Sequence, residues 1–288
     1  MEAWGAKIWR NLAILITILW TLLPIYWVVK FAFETTSEIA HFPPLIVPPN
    51  PQLAAFYNVL GYDYTLTDGT VLRASGQASQ IVLGLRNSLI VSLIVMVITT
   101  LVVVPLAYVF ARLEFSFRSL LLSAVLLAVS LPPVSTLIPF YSLYVQLNLT
   151  GTITGLVIIT LTITIPIVTW MLIGFFKNLP PVEDLGRIDG FSRLFIFTRI
   201  IVPMAKGGIL VGAVIAFLFS WNEYVYAQTL ATGSRAVTLP AAMSGFLFQA
   251  PQPAHLAASL TFSLVPPFII AFFLQKHIAE MNISDLVR

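Results

Sequence analysis

Apolar residues gather into six long runs, at about 11–33, 81–110, 120–145, 152–176, 202–227 and 256–274, with polar stretches between them. At 1.5 Å of rise per residue, each run as a helix is long enough to cross roughly 30 Å of hydrocarbon. The pattern predicts an all-α membrane protein of six transmembrane helices, folded as one domain over residues 1–288. The first run follows Lys7 and Arg10, is longer than a signal-peptide core and has no small-x-small cleavage site behind it, so it reads as a retained span. Pro24, Pro105, Pro132, Pro133, Pro139, Pro166, Pro266 and Pro267 lie within or near the runs. Such prolines bend membrane helices and free carbonyls that neighbouring helices or water must satisfy. A bundle of bent helices around a path is expected.

The longest polar stretch covers 34–80. The proline-rich piece from His41 to Pro51 cannot be helical and should run extended. Residues 53–60 suit a short surface helix. From Tyr62 to Ser75 the pattern alternates around Asp68-Gly69, a hairpin signal, with a flexible loop as the other reading. A small hairpin here would be a lid or a contact for a soluble partner.

Composition narrows the class. The chain is 58% hydrophobic and 9% charged, with a mean hydropathy of +0.94, which excludes a soluble domain and implies a multi-pass protein of the cell (inner or plasma) membrane in contact with lipid. The net charge of +3 is spread over short loops and does not point to nucleic acid. Cysteine is absent, so disulfides and thiolate metal sites are excluded. With the N-terminus inside, eleven of the fifteen lysines and arginines fall on inner segments. Lys30, Arg73, Arg86 and Arg235 fall outside. The positive-inside rule therefore places both termini in the cytoplasm, with 34–80 outside.

One inner stretch stands apart. Residues 177–206 hold eight charged residues: Lys177, Glu183, Asp184, Arg187, Asp189, Arg193, Arg199 and Lys206. Pro180 and Pro181 suit a first helical turn, and Glu183 and Asp184 follow where the helix dipole favours acids. Gly190 allows a bend, and a turn-rich segment leads to Pro203. The plain reading is a cytoplasmic linker. The sharper one is a folded elbow that another protein grips.

The elbow resembles the loop motif of ATP-binding-cassette importer permeases, in which an E-A-A is followed by D-G and then I-x-L-P. The counterparts are Glu183-Asp184-Leu185-Gly186, Asp189-Gly190, and Ile200 with Val202-Pro203. Leu185 and Gly186 replace the alanines and Val202 the leucine. The resemblance implies a type I importer permease (MetI-like) fold and a coupling helix docked in a separate ATPase. Glu183, Asp184, Leu185, Gly186, Asp189, Gly190, Phe191 and Arg193 would make that contact.

Enzymatic chemistry is not legible. There is no G-x-x-x-x-G-K-[ST] to cradle phosphates, so any ATP and Mg would sit on a partner and this chain would carry no cofactor. His41, His255 and His277 stand singly and read as surface residues, so no metal site is expected. No paired carboxylates suggest hydrolysis. Glu223 is an ionisable residue inside a predicted span, the fifth, and such a residue must face water, a partner or the bundle interior. Trp221, Asn222 and Tyr224 beside it combine hydrogen-bonding groups with flat faces, a mixture that suits sugars. The alternative is a structural pair of Glu223 with Arg86.

The resemblance then narrows to sugar permeases, and to the smaller permease of maltose-type importers. It rests on Arg86-Asn87-Ser88-Leu89, Leu137-Ile138-Pro139-Phe140-Tyr141, Leu147-Asn148-Leu149-Thr150-Gly151-Thr152, Gly174-Phe175-Phe176, the elbow and Trp221-Asn222-Glu223-Tyr224, in that order over about residues 11–275. The ending from Met281 to Arg288 departs from the family's glycine-rich tail, and Tyr62–Ser75 looks like an insertion. The resemblance implies four kinds of neighbour: a second homologous permease, two ATPase subunits, an extracytoplasmic sugar-binding protein and lipid. It also implies that the loop at about 228–254 reaches the binding protein through Gly233, Ser234, Arg235, Phe246 and Gln249, although a packing loop with a re-entrant turn fits equally. The other readings are a permease for glycerol phosphate, a peptide or an amino acid, and a gradient-driven carrier or membrane enzyme; a carrier would be expected to show inverted repeats and buried ion sites, and neither is visible.

Overall fold

The computed structural model describes residues 2–130 and 132–280, apart from the side chains of 2–6, 126, 128, 129 and 275–280. The side chain of His277 and the ending from Met281 to Arg288 therefore lie outside the described residues. In chain order the elements begin with α1 (Glu2–Phe31), α2 (Thr36–Ile39), α3 (Ala54–Val59), β1 (Tyr64–Thr65), β2 (Val71–Leu72), α4 (Ala78–Arg112), α5 (Arg118–Ser130) and α6 (Pro133–Gln146). They continue with α7 (Ile153–Lys177), α8 (Glu183–Ile188), α9 (Arg193–Ile196), a π turn (Phe197–Ile201), α10 (Val202–Met204), α11 (Lys206–Trp221), α12 (Val225–Ala231), α13 (Leu239–Met243), α14 (Gly245–Phe248) and α15 (Pro253–Glu280).

Where the sequence predicts six spans, four helical segments among the described residues are long and apolar enough to cross a membrane: Lys7–Phe31, Ala78–Arg112, Ile153–Lys177 and Pro253–Leu274. A fifth arises if Arg193–Met204 and Lys206–Trp221, which meet at 76°, count as one bent span. The run at 120–145 is not one helix. Pro132 caps and Pro133 opens α6, and a proline there has no N–H to continue the ladder from α5. The run at 202–227 is also cut, at Ala205 and again after Trp221.

The chain divides into two compact units. The first, Met1–Val82 with Ala242–Val265, contains the proline-rich segment, which is neither helix nor strand and bends repeatedly rather than running extended, together with α3 and the hairpin. The hairpin forms with Tyr64 opposite Leu72 and Thr65 opposite Val71. Gly69 takes a φ of +85°, and the Asp68 carboxylate accepts the Thr70 N–H at 2.8 Å, which holds that carboxyl below its ordinary range. Helix α3 is not merely on the surface: Ala54, Ala55, Asn58 and Val59 are buried, and Phe56 packs edge-on against Phe262 at 5.7 Å. His255 is half-buried beside Phe246 rather than exposed. Lys30 and Glu34, one helical turn apart, form a buried ion pair at 3.0 Å, with the ammonium over the Trp27 ring at 4.4 Å.

The second unit, Leu83–Ala241 with Pro266–Arg288, holds the core on which the candidate sites stand. Val103, Ala107 and Phe110 of α4 are buried with Val168, Leu172 and Phe176 of α7 and with Ala216 of α11. Helices α7 and α11 approach closely through small residues. A side chain on Gly208 would meet the Phe175 ring at 2.5 Å, and one on Gly212 would meet Val168 at 3.0 Å. A Thr99–Thr164 hydroxyl bond of 2.9 Å ties α4 to α7 inside this apolar packing.

Candidate functional site

The elbow is built by local chemistry. Helix α8 starts at Glu183, two residues later than the prolines suggest, so Pro180 and Pro181 lead into the helix rather than open it. Glu183 and Asp184 occupy the first turn and Arg187 the last, each on the side that the dipole favours. Asp189 caps the helix and Gly190 turns the chain at φ +83°, a left-handed conformation that side chains resist. The Phe191 N–H then reaches back to the Gly186 carbonyl at 3.0 Å. Ser192 accepts the Phe195 N–H at 3.2 Å and opens α9. In place of the expected turn-rich segment, the chain runs helically through the π turn to Met204. Gly186 lets the two short helices touch, because a Cβ there would lie 2.9 Å from Ile196.

The predicted elbow residues divide by which way they face. Leu185, Phe191 and Arg193 are exposed, as are Asp184, Asp189 and Gly190. Gly186 is buried inside the elbow. Glu183 turns inward and pairs with Arg112 at 3.6 Å, while Asp184 and Arg187 stand 4.0 Å apart in solvent, where a pair contributes little. Ile188 at 82% exposed, Leu194 at 72% and the stacked rings of Phe191 and Phe195, 4.7 Å apart, extend Leu185 into an apolar ridge. Sequence reasoning passed over Ile188, Leu194, Phe195 and Arg112. The signal was apolar positions three apart on a short, otherwise charged helix.

The second candidate region is a break. Helix α11 ends at Trp221, Asn222 caps it, and α12 restarts at Val225. Glu223 lies between the two helices rather than within a span. Its carboxylate accepts the Tyr226 N–H at 2.8 Å and the Ala227 N–H at 2.9 Å, satisfying first-turn donors of α12 that have no helical partner. Arg86 makes no ion pair with it among the described residues. Tyr226 holds the restart from the other side through a 2.6 Å hydroxyl contact with Thr136 of α6.

A cavity of about 490 Å³ opens against this break, within the size range of small-molecule sites. Asn222, Glu223 and Tyr224 line it with Phe219, Thr160 and Thr164. Trp221, predicted beside them, is not part of the wall: it is buried and stacked on Phe217 at 5.8 Å.

Of the loop residues predicted to meet a binding protein, Gly233 turns the chain at φ +72°. Ser234 accepts the Ala236 N–H at 3.1 Å, and the Arg235 side chain is exposed. Gln249 is also exposed, but Phe246 is 1% exposed and packs on His255 at 5.8 Å, so its ring is core and is not available for contact. The exposed apolar side chains of that turn are Leu247 and Phe248. Among the described residues, no group of histidines and acids is placed to hold a metal ion.

Comparison with known proteins gives a consistent picture. Residues 103–280 match the family model described as "Binding-protein-dependent transport system inner membrane component". The chain is 27% identical to the sulfoquinovosyl glycerol transport system permease protein SmoH of Agrobacterium fabrum, over 90% of this chain and 86% of that one. It is 27% identical to the trehalose transport system permease protein SugB of Mycobacterium tuberculosis, over 100% of both. A bacterial ABC transporter involved in the import of the acidic polysaccharide alginate shares the fold, with a TM-score of 0.72 and 15% identity over 96% of this chain and 97% of that one.

Proposed function

The chain belongs to the family of binding-protein-dependent transport system inner membrane components, and from that premise we propose that it is the permease subunit of an ATP-driven sugar importer. In this reading the elbow docks in an ATPase that carries the ATP and Mg, a second homologous permease completes the path, and an extracytoplasmic binding protein delivers the sugar. The observation that carries it is the apolar ridge of Leu185, Ile188, Phe191, Leu194 and Phe195, held out by helices too short to bury it. Such a ridge on a charged element suits a cleft in a partner.

The cavity beside Asn222, Glu223 and Tyr224 is the proposed sugar path on this chain. Asn222, exposed at the cavity, offers hydrogen bonds, and Tyr224 and Phe219 offer faces for C–H groups. The relatives are named for the transport of trehalose and of sulfoquinovosyl glycerol. Among the described residues no lysine or arginine lines this cavity, and both Glu223 oxygens are already engaged, which favours a neutral glycoside over glycerol phosphate or another anion. A peptide or amino acid permease is the second reading, and membership of the family sets aside a gradient-driven carrier.

The mechanism is alternating access. ATP closes the ATPase pair, the elbow moves with it, and the path turns outward to receive sugar; hydrolysis turns it back. Each state must be favoured by contacts that the other lacks. Ile188→Asp tests the reading in the assembled importer. The ATPase should fail to co-purify and uptake should fall more than about tenfold, while the variant still inserts in the membrane. Retained ATPase and retained uptake would overturn it.

A further inference from the structure

The Arg86-Asn87-Ser88-Leu89 motif has no part in either candidate site; Arg86 is exposed, but Asn87 and Ser88 are buried and hydrogen-bonded to a distant stretch of main chain. Asn87 donates from its amide nitrogen to the Arg235 carbonyl at 2.9 Å and to the Val237 carbonyl at 2.8 Å. The Ser88 hydroxyl accepts the Leu239 N–H at 2.8 Å. Gly84, one turn earlier, lets the backbone of Thr238 and Leu239 lie against α4, since a Cβ there would sit 3.0 Å from Leu239 N and Cα. Three positions within little more than one turn, Gly84, Asn87 and Ser88, thus bind residues 235–239 to the start of α4 by their main chain, whatever side chains that segment carries.

The other end of α4 is bound in the same way. Arg112, in its last turn, donates to the Leu179 carbonyl and to the Pro180 carbonyl at 3.4 Å, and pairs with Glu183 at 3.6 Å. It therefore grips both the approach to α8 and its first turn. From Asn87 to Arg112 the helix rises about 37 Å. Between the two grips α4 is packed into the core through Val103, Ala107 and Phe110 and tied to α7 through Thr99. Helix α4 stays continuous from Ala78 to Arg112 with Pro105 inside it, so an element restrained along its length and fastened to main chain at each end is suited to move in one piece.

We propose that α4 is the strut that carries displacement of the ATPase-facing elbow to the Arg235–Leu239 segment on the opposite side of the membrane, with Arg112, Asn87 and Ser88 as its positioning residues. The inference rests on the docking role proposed for the elbow. It assigns the motif a transmission role: the loop beyond the Glu223 break is set by the nucleotide state through α4, and not through α11, which is bent at Ala205 and ends at Trp221. Coupling of this kind requires an element whose arrangement both ends bias, and the two grips supply those ends.

The chain has no native cysteine, so a single introduced cysteine is its one labelling site once the partner subunits are made cysteine-free. In the assembled importer in lipid nanodiscs, a fluorophore on Thr232→Cys would report the outer loop and one on Ser116→Cys the inner end of α4, both exposed positions. ATP with vanadate should shift both signals in the parent protein. Ser88→Ala and, more strongly, Asn87→Ala should reduce the shift at position 232 about fivefold, leaving the shift at 116 and ATPase co-purification intact. Arg112→Gln should reduce both shifts while the ATPase stays bound. A purely structural role would lower assembly or heat stability without separating the two labels. An undiminished shift at 232 in assembled Asn87→Ala would overturn the strut. Absence of any ATPase from the parent complex would overturn the docking premise instead.

Discussion

The elbow at 183–204 and the break at 222–224 are both interruptions of apolar sequence in one compact unit, and they are made by opposite means. The elbow is assembled from residues that act within a few positions of themselves: acids at a helix start, Gly190 at positive φ, and Ser192 at the next start. Its apolar side chains are left outward. The break spends its one acid on its own backbone, and its apolar neighbours, Phe217 and Trp221, turn inward. An outward apolar ridge can be specified locally. A cavity depends on which helices end up facing it.

The largest effect is expected at the elbow. Gly190→Phe forces a bulky residue into a left-handed conformation, costing about 1–2 kcal/mol locally, and should abolish ATPase association and uptake while membrane insertion survives. Unchanged uptake would remove the elbow from coupling. Next is the contact that positions both regions: Gly208→Val drives a side chain into Phe175 and should destabilise the bundle by about 1–3 kcal/mol, read as a lower melting temperature in detergent.

Glu223→Gln keeps the shape but replaces one accepting oxygen by an amide that cannot accept an N–H. A loss of about 1 kcal/mol at the break and a several-fold fall in uptake are expected, with ATPase association unchanged. Full uptake would take Glu223 out of the path and leave it as a cap only. The smallest effect belongs to Thr99→Val, which removes one interhelical hydroxyl bond worth about 0.6 kcal/mol and should be visible only in thermal stability. A larger loss in uptake than in stability would show that the α4–α7 contact carries motion as well as packing.

The hairpin shows how far local pattern reaches. Asp68-Gly69 specifies a reversal by itself, and the strands pair as the alternation predicts. The run at 120–145 shows where it stops. Composition there marks apolar sequence, but Pro132 and Pro133 interrupt the ladder, and hydropathy counts residues without counting hydrogen bonds. Phe246 and Trp221 fail for a related reason. A large aromatic residue reads the same whether it stacks in the core or faces a ligand, and only the neighbours on other helices decide.

By itself, then, the sequence determined a membrane protein of apolar helices, its family, and the elbow, because hydrophobicity, proline, glycine and charge act over a few residues. Only the tertiary structure decided that Glu223 caps a helix, that Glu183 faces Arg112, and that Asn87 and Ser88 hold a segment some 150 residues away. Those outcomes depend on which main-chain groups are left unpaired once the helices pack, and no local pattern carries that information.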